Sequence, residues 1–194
     1  MSRDARTRPE RLFFTGDEAA DRLIAEDPVA LLIGFCLDQQ VTVQKAFSGP
    51  LVLSQRLGHL DPARIAAEDP DRLAAVFREP PALHRYPGSM ATRVQSLCAF
   101  LETRYDGDAA RVWEQAESGS DLRSRLAELP GFGDLKVQSV LVLLARQYGV
   151  ELPGLAAELP ATPTLGEVTS ADELAAYQAG KRALKAARRA AREG

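Results

Sequence analysis

Nine consecutive residues, Val29 to Leu37 (VALLIGFCL), are apolar without a break, and they stand between Asp27-Pro28 and Asp38-Gln39-Gln40. Asp-Pro supplies an N-cap carboxylate followed by a residue preset for the first helical position. A helix begun there is apolar on every face, so it runs through the centre of a lobe and other elements must cover it all round. The run is half the ~18 residues a membrane-crossing helix needs, which makes it a core helix. The chain has 194 residues, 45% of them hydrophobic, enough to build that cover as one globular unit or two small interlocked lobes.

The same punctuation recurs. Asp61-Pro62 and Asp69-Pro70 repeat the helix start, and Thr15-Gly16-Asp17-Glu18 and Ser170-Ala171-Asp172-Glu173 each have the form of a capping box. Ser89, Asp108 and Ser120 read as further caps. The pattern predicts helices over 17–26, 28–40, 43–57 (interrupted at Gly49-Pro50), 62–67, 70–78, 89–105, 109–116, 121–129, 134–148 and 171–193. Few β-branched alternations compete, so the expected class is all-α. The stretch 149–169, with Pro153, Pro160 and Pro163, reads as an irregular connection.

Composition excludes several classes. Apolar and charged fractions of 45% and 26% are those of a folded chain rather than a disordered one. The first residues, MSRDARTR, lead into no apolar stretch, so no secretory signal is expected. Cys36 and Cys98 are the only cysteines and lie in apolar helical patterns, which reads as reduced packing residues in a cytoplasmic setting. Two cysteines cannot supply a four-thiolate iron–sulfur cluster within one chain.

Net charge is −3, which argues against a nucleic-acid partner until it is divided along the chain. Residues 181–194 carry +5, from Lys181, Arg182, Lys185, Arg188, Arg189 and Arg192 against Glu193. Residues 151–180 carry −5, and residues 80–150 are neutral. Phosphate binding depends on such local clusters rather than on the total. Read alone, the basic tail is a solvated helix face; beside a phosphate site, the same face extends a binding footprint.

That phosphate site is the strongest motif in the chain. Leu129-Pro130-Gly131-Phe132-Gly133-Asp134-Leu135-Lys136 lies between two helical segments. Gly131 and Gly133 allow close approach of a backbone or phosphate, and the helix that follows presents free N–H groups at its start. Phe132 is expected to plug the hairpin onto the core, with Lys136 as a point charge near the phosphate. Asp38, at the end of the buried helix, faces the negative end of the helix dipole and needs a reason to be there. Either it caps backbone amides or pairs with an arginine, or the helix delivers it with Gln39 and Gln40 to the rim of a cleft. In His84-Arg85-Tyr86, Tyr86 is either packed under a loop or free to stack in a duplex, and His84 is either structural or a contact to phosphate or base. Trp113 reads as core.

The hairpin resembles the helix-hairpin-helix of the base-excision DNA glycosylases related to endonuclease III, the HhH-GPD superfamily. Leu31 to Val43 (LLIGFCLDQQVTV) is similar to that family's buried helix ending in a Gln that enters the duplex, a place that falls on Gln40. Tyr86 to Val94 (YPGSMATRV) is similar to the loop and helix carrying its intercalating wedge, which falls on Tyr86. These segments span about residues 27–149 in the family's order, and the chain looks closest to a bacterial subgroup without an iron–sulfur cluster.

The resemblance implies a two-lobed helical fold: a six-helix barrel over 27–133, and a second lobe from 1–26 plus 134–194 carrying the basic C-terminal helix. It implies base-excision repair by a DNA N-glycosylase that flips and excises a damaged base from duplex DNA. The DNA-binding residues are then Gln39, Gln40, Tyr86, Gly131, Phe132, Gly133, Lys136, Lys181, Lys185 and Arg189. The protein is expected to be a monomer, cytoplasmic and nucleoid-associated, with no membrane partner, no protein-ligated metal and no cofactor beyond a monovalent cation at the hairpin. Two departures bear on chemistry. Leu135 stands where bifunctional members have a lysine nucleophile, so AP-lyase activity is not expected. The family's catalytic Asp falls on Pro153-Gly154 and is missing. Asp38 is the candidate replacement and Glu151 the weaker one, its plain reading being a solvated loop acid. A chain that keeps hairpin and wedge but has lost the acid would be a non-catalytic DNA-binding repair protein. A helical scaffold that uses the hairpin only as a turn is the third reading.

Overall fold

In the computed structural model, which describes residues 8–193, the chain is all-α, with no strand among the described residues. The helices are α1 (Glu18–Glu26), α2 (Pro28–Leu37), α3 (Val43–Leu57), α4 (Pro62–Ala66), α5 (Pro70–Arg78), α6 (Pro87–Tyr105), α7 (Arg111–Glu114), α8 (Gly119–Glu128), α9 (Asp134–Arg146), α10 (Leu155–Glu158) and α11 (Ala171–Glu193), with a 3-10 turn at Leu165–Glu167. None of them is long and apolar enough to cross a membrane.

Three of the starts follow from Asp-Pro chemistry. The carboxylates of Asp27, Asp61 and Asp69 accept from the amides of Val29, Ala63 and Arg72 at 2.8, 2.9 and 2.8 Å, with Pro at the first helical position each time. Every residue of α2 from Val29 to Leu37 is buried. Its cover comes from α1, α3 and α6, while α4 and α5 pack on α6, and α8, α10 and the 3-10 turn pack on α9. α2 packs closely on α3. A Cβ built on Gly34 would lie 2.5 Å from the Phe47 ring, and one on Gly49 would lie 2.5 Å from Leu37. Phe47 in turn meets Phe14 and Phe35 edge-on, both at 4.9 Å. The hydroxyl of Tyr148, beyond α9, donates to the carbonyls of Ile24 (3.3 Å) and Ala25 (3.0 Å) at the end of α1.

Several boundaries differ from the sequence pattern for identifiable reasons. α3 runs unbroken through Gly49-Pro50, because the seating of Gly49 and buried Pro50 against α2 outweighs the helix-breaking tendency of an interior proline, worth about 3 kcal/mol. α2 ends at Leu37 rather than Gln40, since Asp38 turns out (φ −71°, ψ 73°) and Gln40 takes a left-handed φ of 56°. α6 starts at Pro87, so Ser89 lies inside the helix, and α8 is capped by Ser118 (Oγ from Asp121 N, 3.1 Å) rather than Ser120. α1 is capped by Asp17, leaving the Thr15 hydroxyl to donate to the Asp21 carboxylate at 2.8 Å. The connection 149–169 holds α10 and the 3-10 turn, with Gln147 Nε2 donating to Gly166 O (2.8 Å) and Val168 O (3.1 Å).

Candidate functional site

The C-terminal end of α2 is where the chemistry of this chain collects. Emerging from a wholly buried helix, the chain turns sharply, with Asp38 N donating to Gly34 O at 3.1 Å and Gln39 N to Leu37 O at 2.7 Å. The Asp38 side chain neither caps an amide nor pairs with an arginine among the described residues. It is half-buried, and that burial pushes its carboxyl above the ordinary aspartate range, opposed by the nearby ammonium groups of Lys181 and Lys136.

The two glutamines beside it are held from another part of the chain. Gln39 Oε1 accepts from the Arg93 guanidinium on α6, and Gln39 O accepts from His84 Nε2 at 2.9 Å. Gln40 is exposed, and its Oε1 accepts from the Tyr86 hydroxyl at 3.3 Å. Tyr86 is 43% exposed at the N-terminal end of α6, with the Arg85 guanidinium 4.9 Å above its ring. It is therefore not packed under its loop.

From the opposite side comes the hairpin between α8 and α9. Gly131 has φ +87°, and a Cβ there would lie 2.7 Å from Cδ of Arg93 and 3.3 Å from Sγ of Cys36. Phe132 is buried and meets Phe35 with ring centroids 6.4 Å apart, so the hairpin is plugged onto α2. Gly133 is the N-cap of α9, with no side-chain cap and open space where a Cβ would stand. The Lys136 amide donates to Gly133 O at 2.9 Å, which leaves the first-turn amides of Asp134 and Leu135 to solvent or a ligand. Beside them, Asp134 is neutralised by Arg123 (Nη1–Oδ1, 3.0 Å) and bonded by Gln138 Nε2 at 2.8 Å.

Lys136 is turned inward. Its ammonium donates to Cys36 O at 3.2 Å and Gly131 O at 3.0 Å, tying the last turn of α2 to the hairpin. Burial pulls its pKa down, while the nearby Cys36 and Asp38 pull it up. The structure places this lysine as a bridge at the negative end of the α2 dipole rather than as a free charge beside the α9 N-terminus. The carbonyls of Leu129, Gly131 and Gly133 each accept a hydrogen bond from the chain itself. The same burial pushes the Cys36 thiol up to about 11 and Cys98 to about 12, which leaves both as packing groups.

α11 completes the face. Leu174 is buried, and Gln178 exchanges hydrogen bonds with Gln44 of α3 at 2.8 and 3.4 Å. One turn on, Lys181 lies 5.3 Å from the Tyr177 ring and within electrostatic reach of Asp38. Lys185 and Arg189 are exposed further along; the side chains of Arg188 and Arg192 lie outside the described residues. Glu151 is exposed after α9 and makes no hydrogen bond or ion pair with a described residue. Trp113 is buried against Tyr148. Sequence reasoning passed over Arg93; its one signal was its place two turns after Tyr86 on the same helix.

Comparison with known proteins gives no match to a family model, to a curated protein or to a solved structure. Function has to be argued from this face itself.

Proposed function

We propose that this chain is a base-excision DNA repair protein of HhH-GPD type: a monofunctional N-glycosylase that binds duplex DNA, flips a damaged base and hydrolyses its glycosidic bond. The observation that carries this reading is Asp38, a half-buried carboxylate that makes no hydrogen bond or ion pair with a described residue, within electrostatic reach of Lys181 and Lys136 and two residues before Gln40, which Tyr86 holds. Burial raises its pKa above the ordinary aspartate value, and a carboxylate so placed is suited to proton transfer.

The roles follow from the geometry. A phosphodiester takes the open amides of Asp134 and Leu135 beside Gly133, and the exposed bases of α11 add phosphate contacts. Tyr86 and Gln40 enter the duplex and fill the space the flipped base leaves. Ionised Asp38 stabilises the cationic sugar and accepts a proton from the attacking water, whose oxygen bonds to the anomeric carbon as the base departs with the bonding electrons. Leu135, 79% exposed where a lyase would need an amine, offers no Schiff base. In this reading the helices around α2 form the barrel lobe of a two-lobed HhH-GPD fold, and the protein works as a monomer at the nucleoid.

One observation favours a second reading. Pro153-Gly154, at the place of the family's catalytic Asp, is used as backbone: Gly119 N donates to Pro153 O at 2.9 Å, and a Cβ on Gly119 would strike Leu155. A DNA-binding repair protein without catalysis is the consequence if Asp38 does no chemistry. The deciding experiment is single-turnover excision, at enzyme excess, on duplexes carrying alkylated, deaminated and oxidised bases, with Asp38→Asn in parallel. Abasic product from wild type, lost in Asp38→Asn with duplex affinity retained, supports the glycosylase. Tight duplex binding with no abasic product from any lesion overturns it in favour of the second reading.

A further inference from the structure

His84 is one of two histidines in the chain and is 1% exposed, yet it lies in a loop with both ring nitrogens in use. Nδ1 accepts from the Tyr86 backbone amide at 3.0 Å, which fixes that nitrogen as the unprotonated one. Nε2 must then carry the proton, and it donates to Gln39 O at 2.9 Å. The ring joins the turn after α2 to the loop before α6, segments 45 residues apart in sequence. Beside it the Tyr86 hydroxyl donates to Gln40 Oε1 at 3.3 Å, a second hydrogen bond between the two loops.

We propose that His84 is the positioning residue of this face: its neutral, Nε2-protonated imidazole clamps the Gln39–Gln40 turn to the Tyr86 loop, so that Tyr86 and Gln40 meet a duplex as one preset unit. This rests on the reading of Tyr86 and Gln40 as duplex-entering residues. Presetting matters because an exposed tyrosine and a glutamine in a left-handed turn otherwise lose rotamer and loop freedom on binding. The clamp works in one protonation state only. A proton on Nδ1 would set one N–H against the Tyr86 N–H and break the link. Burial lowers the His84 pKa; the hydrogen bonds to Gln39 and Leu37 pull it up, and the charges of Arg85 and Lys45 push it down. The clamp therefore holds at neutral pH and opens only below the ordinary histidine range.

Two measurements test this. Nitrogen NMR of the imidazole, in full-length protein carrying His59→Gln so that His84 alone is seen, should show protonation on Nε2 and not on Nδ1 at neutral pH. A ring protonated on Nδ1 overturns the proposal. A duplex with 2-aminopurine beside an abasic site then reports unstacking by wild type, Tyr86→Ala and His84→Gln. The expected result is that His84→Gln, still folded by circular dichroism, loses the unstacking signal as Tyr86→Ala does. It should also bind roughly tenfold more weakly, the scale of one lost hydrogen bond. Acidification should remove the signal from wild type, and NMR should place that loss at the protonation of His84. Equal unstacking by wild type and folded His84→Gln overturns the clamp while leaving the duplex reading intact. If His84→Gln does not fold, a wild-type signal that stays constant as His84 protonates overturns the clamp in its place. A wild type that binds no duplex overturns the functional reading, and the clamp's role with it.

Discussion

Two glycines two residues apart are expected to respond to substitution in opposite ways. At Gly131 the backbone has φ +87°, so any Cβ costs about 1–2 kcal/mol in the left-handed region. That Cβ would also stand 2.7 Å from Cδ of Arg93, forcing the arginine aside and breaking its hydrogen bond to Gln39. A hydrogen bond to a charged group is worth about 1.5–3 kcal/mol when buried, and about 1 kcal/mol is a fair share for this half-buried one. Gly131→Ala should therefore destabilise by about 2–3 kcal/mol, which lowers the melting temperature of a chain this size by roughly 5–10 °C. Gly133 has an ordinary extended φ of −90° and open space around it. Gly133→Ser places a hydroxyl where it can cap α9, a gain of about a few tenths of a kcal/mol, so the melting temperature should hold or rise slightly. The same hydroxyl competes with a phosphate for the α9 amides, so duplex affinity should fall. Thermal melts by circular dichroism and duplex titrations read both quantities. A Gly131→Ala protein melting with wild type would refute the argument from Arg93. Unchanged affinity in Gly133→Ser would refute the anion site at α9.

Two further expectations separate charges by where they point. Burial holds the Asp38 pKa above its unfolded value, so its contribution to stability is present below the unfolded pKa and is lost as pH rises through the folded pKa. Asp38→Asn should accordingly melt above wild type at neutral and alkaline pH, the gap closing on acidification; a gap independent of pH would contradict this. Because the Lys136 ammonium is spent on Cys36 O and Gly131 O, Lys136→Met should destabilise by about 1–2 kcal/mol and leave the salt slope of duplex binding unchanged. Lys185→Gln, on the exposed face of α11, should leave stability alone and make the slope shallower by about 0.9, measured by titration across salt concentrations.

The helix starts were legible because they depend on neighbours in sequence: an Asp and the Pro after it settle three of them, and Asp27 does so next to a run that could only be buried. The plugging of the hairpin by Phe132 was legible for a similar reason, an aromatic between two glycines having nowhere else to go. What was not legible depended on which elements meet. α3 passes through Pro50 because α2 lies against it, and α2 stops short of Gln40 because Gln39 is taken by Arg93 and His84. Lys136 is the sharpest case. Nothing local to the hairpin distinguishes a lysine reaching out to a phosphate from one reaching in to Cys36 O, a hundred residues earlier.

That inward lysine also explains how α2 tolerates an acid at its end. A carboxylate at the negative pole of a helix dipole is unfavourable, and burial makes it more so. Lys136 neutralises the last turn through Cys36 O, and Lys181 acts on Asp38 from α11. One charge comes from the hairpin and the other from the tail helix, while Gln39 and Gln40 are fixed from α6 and the loop before it. Four separate stretches of chain must fold before Asp38 stands where it does. The tail helix is then more than a phosphate arm. Removing the Lys181 charge by Lys181→Gln should push the Asp38 pKa higher still, shifting any activity that needs its ionised form toward alkaline pH, while Lys185→Gln, lacking that reach, should leave the pH profile where it was.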